Sequence, residues 1–352
     1  MRFNDKIEVY LERKKLMKYP FPKVDLHFHL DGSIVPEVGW RIAQEEGVDL
    51  DIHTYEEYIQ LTTVPPLCTD VFEYLAKFGP IVKLMQTKEH LTRITYTTIE
   101  RACNEGLFYV EIRFAPQLHC QKGLTQRDAV EAVLEGVRKA REDFPAIKVG
   151  IILCTMIELY DNHDENMETV RLTEEYLGKG VVGIDLAGGE DSVPMRHYAD
   201  LFVDYHKKGL PMTIHAGDNG IPQNVSTVID WGATRIGHGK HCWYDKDVMQ
   251  KVIDTGATLE VCITSNIQCR TENSYKEHPI KKLYDAGVKV TINTDNQSIS
   301  NINLEYEYDK AMEELGFTYN DLIQCNINSI ECSFMPEEEK PAYIEKLRSY
   351  LQ

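Results

Sequence analysis

The sequence predicts an α/β fold, a (β/α)8 barrel of the TIM type with a helical insertion between strands 1 and 2. Two observations predict it. Eight short, β-rich apolar runs recur along the 352 residues, with longer helical stretches between them. The runs are near-continuous rather than alternating, which suits strands buried on both faces of a parallel sheet. Length alone suggests two domains, but a barrel can use the whole of 1–352 as one. No repeat, low-complexity tract or Pro/Gly/Ser linker divides the chain. The competing fold is an open doubly wound sheet. Its GxGxxG fingerprint after the first strand is missing.

In order, run one is Lys23 to Leu30 (KVDLHFHL). About 75 residues then precede run two, far more than a normal βα loop. This segment, Val35 to Glu105, carries helical patterns of its own, such as Val71 to Phe78. It reads as a helical insertion over the C-terminal mouth, either a lid or a structural flank. Runs two to four are Phe108 to Pro116, Ile147 to Met156 and Val181 to Gly189. Runs five to eight are Pro211 to Asp218, Thr234 to Gly239, Thr258 to Asn266 and Lys289 to Asn296. Between them, Asp128 to Phe144 repeats apolar residues at i, i+3 and i+4, and Pro279 to Gly287 has a Pro start and a Gly stop.

Composition narrows the partners. Thirty-eight Lys and Arg face 56 Asp and Glu, a formal net charge of −18. That balance argues against DNA, RNA or an anionic membrane surface, but not against a small nucleoside. The apolar runs are too short to span a bilayer. The stretch Met1 to Lys15 has no apolar core and does not read as a signal peptide. Nine scattered cysteines, with no CxxC pair, read as reduced, buried thiols of a cytoplasmic protein.

The chemistry collects at the C-terminal ends of the runs. Run one ends on His27, His29 and Asp31, run five on His215 and Asp218, run six on His238, and run eight on Asp295 and Asn296. In a barrel these ends converge on one mouth, where active sites lie. A strand has period two, so His27 and His29 point the same way and both can reach one metal. With His215 and Asp295 the set is three imidazoles and a carboxylate. That suits Zn2+, though the same ligands accept Fe2+ or Mn2+. His238 and Asp218 remain as proton-handling groups. The other zinc deaminase design, H-x-E with P-C-x-x-C, is absent.

These residues resemble the adenosine deaminase family of the amidohydrolase superfamily. The resemblance covers nearly the whole chain, with seven motifs in family order. They are VDLHFHLDGS (Val24 to Ser33), YVEIRFAP (Tyr109 to Pro116), GIDLAGGE (Gly183 to Glu190) and IHAGD (Ile214 to Asp218), then RIGHG (Arg235 to Gly239), LEVCITSN (Leu259 to Asn266) and TINTDN (Thr291 to Asn296). It implies one Zn2+ per chain on His27, His29, His215 and Asp295, and hydrolytic deamination of a 6-aminopurine nucleoside such as adenosine or 2′-deoxyadenosine. His238 would orient the attacking water, and Asp295 would accept a hydrogen bond from it. Gly188 would offer its N–H to purine N3, and Asp31 would lie near the ribose 5′-hydroxyl. His29 counts with both the metal and the substrate residues. Glu111 and Arg113 would form a buried ion pair holding the barrel.

Three positions depart from the family pattern. Asp218 stands where the family has the glutamate that hands a proton to purine N1, and it is one methylene shorter, roughly 1.5 Å. Asn296 stands where the family has an aspartate. Its amide can donate to N7 without carrying an extra proton. Ile157 stands where many relatives carry arginine. Two alternatives follow. One is an amidohydrolase acting on another aminopurine, as free base or modified nucleoside. The other is a weakly active relative that binds nucleoside. Run four lacks the lysine that bridges two metals in binuclear hydrolases, which favours a single ion.

Overall fold

The computed structural model describes residues 17–45, 48 and 50–352. The stretch Met1 to Lys15 lies outside them. Eight parallel strands form the barrel: β1 (Lys23–His29), β2 (Leu107–Phe114), β3 (Lys148–Ile157), β4 (Val181–Gly188), β5 (Thr213–Ala216), β6 (Arg235–His238), β7 (Thr258–Val261) and β8 (Lys289–Ile292). They pair as two four-stranded sheets, β1 to β4 and β5 to β8. Two narrow seams close the ring. Ile184 N–H donates to Pro211 O at 3.2 Å between β4 and β5. Just past β8, His29 N–H donates to Asp295 O, and Asp295 N–H to His27 O, each at 2.8 Å.

The eight runs each supply a strand, and the differences lie at their ends. The fifth strand stops at Ala216 because Gly217 turns with φ +69. The seventh stops at Val261. Cys262 to Asn266, read as the end of the seventh run, leave the strand and turn into a short helix, Ile263–Gln268. The two helical stretches read from periodicity appear as Gln126–Asp143, with a Thr125/Asp128 capping box, and Ile280–Asp285, with Pro279 as its cap residue. After β8 and the short helix Gln297–Ser300, the helices Leu304–Leu315, Tyr319–Cys332 and Lys340–Arg348 complete the outer layer.

The long first connection holds α1 (Pro36–Glu45), α2 (Tyr55–Thr62), α3 (Val71–Leu75), α4 (Phe78–Lys83) and α5 (Lys88–Asn104). The last of these is the crossover helix of the first βα unit. It packs on the Gln126–Asp143 helix so closely that a Cβ at Gly136 would meet Thr92 O at 2.7 Å. The extra segment therefore ends before Lys88. It is stitched to the short helix Gln297–Ser300 after β8: Val64 N–H donates to Ile299 O at 2.9 Å and Tyr74 Oη pairs with Ser300 Oγ at 2.7 Å. All nine cysteines are free thiols, seven of them buried. Among the described residues no helix is long and apolar enough to cross a membrane.

Candidate active site

The strand ends place the predicted residues together. His27 and His29 come from β1, His215 from β5, His238 from β6 and Asp295 from the turn after β8. Imidazole centroids lie 4.5 Å apart for His27 and His215, and 4.8 Å for His27 and His238. His238 and Asp295 hold left-handed backbone, with φ of 59° and 62°. Such conformations cost about 1–3 kcal/mol in a residue with a side chain and persist where the surroundings impose them. Here the β1 seam fixes Asp295, and Gly239 N–H bonded to Ala216 O fixes the turn after His238.

The site fits a metal. His27, His29 and His215 each offer a ligand atom within 4.8 Å of the others. Asp295 Oδ1 is 3.3 Å from His29 Nε2 and 3.6 Å from His27 Nε2. Two ligands of a tetrahedral zinc bonded at about 2.0–2.1 Å lie about 3.3 Å apart. His27 Nε2 is buried with no hydrogen-bond partner. Burial, with the charge of Arg113, holds His27 well below the usual imidazole range, so its ring is neutral and can ligate. Ser265 Oγ donates to Asp295 Oδ2 at 2.6 Å and leaves Oδ1 facing the histidines.

Buried carboxylates aim the rings. His27 Nδ1 meets Glu260 Oε2 at 2.9 Å, and His215 Nδ1 meets Asp185 Oδ2 at 3.0 Å. Each contact directs Nε2 at the common point. Glu260 also takes Arg113 at 2.6 Å and Arg235 at 2.6 Å. Burial works against its ionisation, but Arg235 and Arg113 prevail and hold it at about 2. Glu111 and Arg113 do not pair with each other as expected. Glu111 bonds Arg235 and Arg113 bonds Asp185, because neighbours on one face of β2 point across the barrel to different strands. Glu260 joins the two pairs. Asp185 and Glu260 were not singled out in the sequence, although each is an acid inside an apolar run.

His238 has a fixed tautomer. Ile280 N–H donates to His278 Nδ1 at 3.2 Å, so His278 Nε2 carries the proton and donates to Asn266 Oδ1 at 3.0 Å. Asn266 Nδ2 therefore faces His238 Nδ1 at 3.0 Å, which leaves the proton on His238 Nε2. Burial lowers His238 to about 4. The second proton of Asn266 Nδ2 goes to Asp218 Oδ1 at 2.8 Å. Burial raises the Asp218 carboxyl, but His238 and Lys240 outweigh it and hold it well below the usual carboxylate range. Glu190 grips the loop from behind, accepting from the N–H groups of Gly217, Asp218 and Asn219 at 2.6, 2.8 and 3.1 Å.

A cavity of about 460 Å³ opens over these groups, within the range of small-molecule sites. Asp31, Gly188 and Asn296 line it, as do Val71, Leu75 and Phe78 of the insertion. Gly188 has φ +117, and a Cβ there would meet Ile157 O at 2.7 Å, so the peptide edge facing the cavity needs glycine. Gly32 makes room for Asn296: a Cβ there would lie 1.8 Å from Asn296 Oδ1. Asp31 is buried, accepts from Gly32 N–H at 2.9 Å, and is raised by burial to about 6. All the predicted site residues but His27 line this cavity, and His27 is fully buried. Ser265 also lines it, while Asn266, Lys240 and Glu190 hold Asp218 from outside the cavity; none of the four was assigned a role from sequence.

Known proteins share this family and fold. The adenosine deaminase family model matches residues 22–350. An adenosine deaminase of Clostridium perfringens is 40% identical over 328 residues, 93% of this chain and 97% of the relative. The structure of an N6-mAMP deaminase from Arabidopsis superposes with a TM-score of 0.82 at 27% identity, over 94% of this chain and 98% of that one. An adenine deaminase from Arthrobacter aurescens shares the fold, with a TM-score of 0.84 at 24% identity over 94% and 98%. The barrel, the pocket at its mouth and these matches together make the chain a member of the adenosine deaminase family of hydrolytic deaminases.

Proposed function

We propose that the protein is a zinc-dependent deaminase of adenosine and 2′-deoxyadenosine, yielding inosine or 2′-deoxyinosine and ammonia. The observation that carries this reading is the cluster of His27, His29 and His215, with Asp295 Oδ1 3.3 Å from His29 and 3.6 Å from His27 and with His238 and Asp218 in the same cavity. His27, His29, His215 and Asp295 would hold one Zn2+. When bound, it supplies a water whose pKa falls to about 7. His238, with its proton on Nε2, would orient the attacking water at the purine C6 face. Asp218, ionised at rest, would take up a proton from solvent as the purine enters and pass it to N1, which makes C6 electrophilic. The Gly188 N–H would meet N3 and the Asn296 amide would donate to N7. Asp31 would receive the 5′-hydroxyl.

The cavity wall supports a neutral substrate. No lysine or arginine lines it among the described residues, whereas Asp31, Glu158, Asp218 and Asp295 do. A 5′-phosphate would find repulsion and no cation, so the nucleoside is favoured over the nucleotide. The free thiols fit a cytoplasmic setting. The test is ammonia release from adenosine, 2′-deoxyadenosine, adenine and N6-methyl-AMP, with metal analysis alongside. The expected order puts the two nucleosides at least tenfold ahead in kcat/KM, with about one zinc per chain. A preference for adenine or the nucleotide overturns the substrate reading. Full activity in metal-free protein overturns the zinc reading.

A further inference from the structure

Lys240 is fully buried, in the turn that follows β6. An ammonium taken out of water costs several kcal/mol unless it is paired. Both of its shortest contacts fall on one residue: Nζ donates to the Asp218 carboxylate Oδ1 and to the Asp218 main-chain oxygen, each at 2.7 Å. It lies 3.4 Å from His241 Nδ1 on its other side. Asn266 Nδ2 and Thr271 Oγ1 add donors at 2.8 and 3.1 Å, and both choose Oδ1. No donor among the described residues takes Oδ2. With Glu190 on its N–H, Asp218 is held at backbone nitrogen, backbone oxygen and one carboxylate oxygen. The other carboxylate oxygen is left for what enters the cavity that Asp218 lines.

We propose that Lys240 is the positioning residue for the proton-carrying carboxylate. Its double grip holds the shortened acid in place so that Oδ2 alone meets purine N1. Lys240 does not line the cavity and so acts through Asp218. It stays protonated while the proton passes between Asp218 Oδ2 and N1. The proposal rests on the reading of Asp218 as the N1 proton carrier. A displacement of about 1 Å at such a group can cost on the order of a hundredfold in rate.

The experiment compares full-length, zinc-loaded Lys240→Met, Asp218→Glu/Lys240→Met and Asp218→Asn with the parent on adenosine. Lys240→Met keeps the stem length and removes the ammonium. Its kcat is expected to fall about thirtyfold or more, with KM within threefold and zinc content unchanged. The longer acid needs no tether, so the double variant is expected to recover about tenfold or more of that loss. A purely structural lysine predicts a lower unfolding midpoint with kcat within threefold of the parent, or a double variant no faster than Lys240→Met. Either result overturns the proposal. If Lys240→Met does not fold, Lys240→Arg is read by the same kcat and KM criteria, since a guanidinium cannot occupy the ammonium's position between the two oxygens. Asp218→Asn isolates the underlying reading: normal deamination by that variant removes Asp218 from the reaction whatever Lys240 does.

Discussion

Glu260→Gln tests how far the catalytic centre depends on the charge network beneath it. Glu260 meets His27 Nδ1 at 2.9 Å, Arg113 at 2.6 Å and Arg235 at 2.6 Å, all in the interior. Glutamine keeps the shape, so no cavity opens. It presents an NH2 where an acceptor is needed, and the two guanidiniums lose a shared counter-charge. Removing one partner of a buried pair costs about 3–5 kcal/mol. Arg113 keeps Asp185 and Arg235 keeps Glu111, which sets the expectation near the lower end, about 3 kcal/mol in metal-free protein. The loosened His27 ring adds a second loss, because outer partners of metal-binding histidines are worth about 10–100-fold in affinity. Urea unfolding with and without zinc reads the first quantity, and chelator competition reads the second. A variant with zinc affinity within about twofold and a metal-free stability loss under about 1 kcal/mol would falsify the account of Glu260 as the hub.

Other consequences can be measured directly. His27→Ala and His215→Ala should each lose bound metal and activity together; a variant that keeps both shows that its imidazole is not a ligand. Gly188→Ala forces a side chain into φ +117 and against Ile157 O, so a loss of about 1–3 kcal/mol in stability and a raised KM for adenosine are expected, and an unchanged KM would separate this peptide from the substrate. Glu307 is fully buried, where it accepts from Thr264 N–H, and burial raises its carboxyl to about 7 from an ordinary 4.5. Its folded state therefore binds the proton more tightly, and stability drops as pH rises from about 4.5 to 7, by up to about 1.4 kcal/mol per pH unit. Glu307→Gln should remove that slope, and parallel urea-midpoint curves for parent and variant between pH 5 and pH 8 would contradict it.

The strand cores were legible because their side chains are buried on both faces and leave an unbroken apolar trace, as in the runs that became β2 and β4. Strand ends were less so. In Thr258 to Asn266 the apolar pattern continues through Cys262 and Ile263, but the chain must turn there to bring Ser265 and Asn266 beneath Asp295 and His238. Ligands stood out because histidines and acids at the ends of apolar runs have no other reason to be there. Their supports did not. Arg113 and Glu260 are 147 residues apart, and nothing local marks one as the partner of the other. Lys240 follows a glycine in an ordinary turn, and only the approach of the loop after β5 makes it a neighbour of Asp218. Leu159 (85%), in the loop after β3, lines the cavity as an exposed apolar side chain, and nothing local in the sequence marks it for that place.

The seam between the first and last strands has a consequence for assembly. Two of the four proposed ligands lie on β1 and the fourth lies just past β8, on the residue whose backbone closes the ring. A chain emerging in order would present His27 and His29 early and hold an open trough until Asp295 arrived. If these residues hold the proposed ion, its capture would accompany ring closure, and it would act as a rivet set last. Cutting the chain between β4 and β5 would leave two ligands on each fragment, so reassembly of the halves could be followed by the recovery of tight zinc binding.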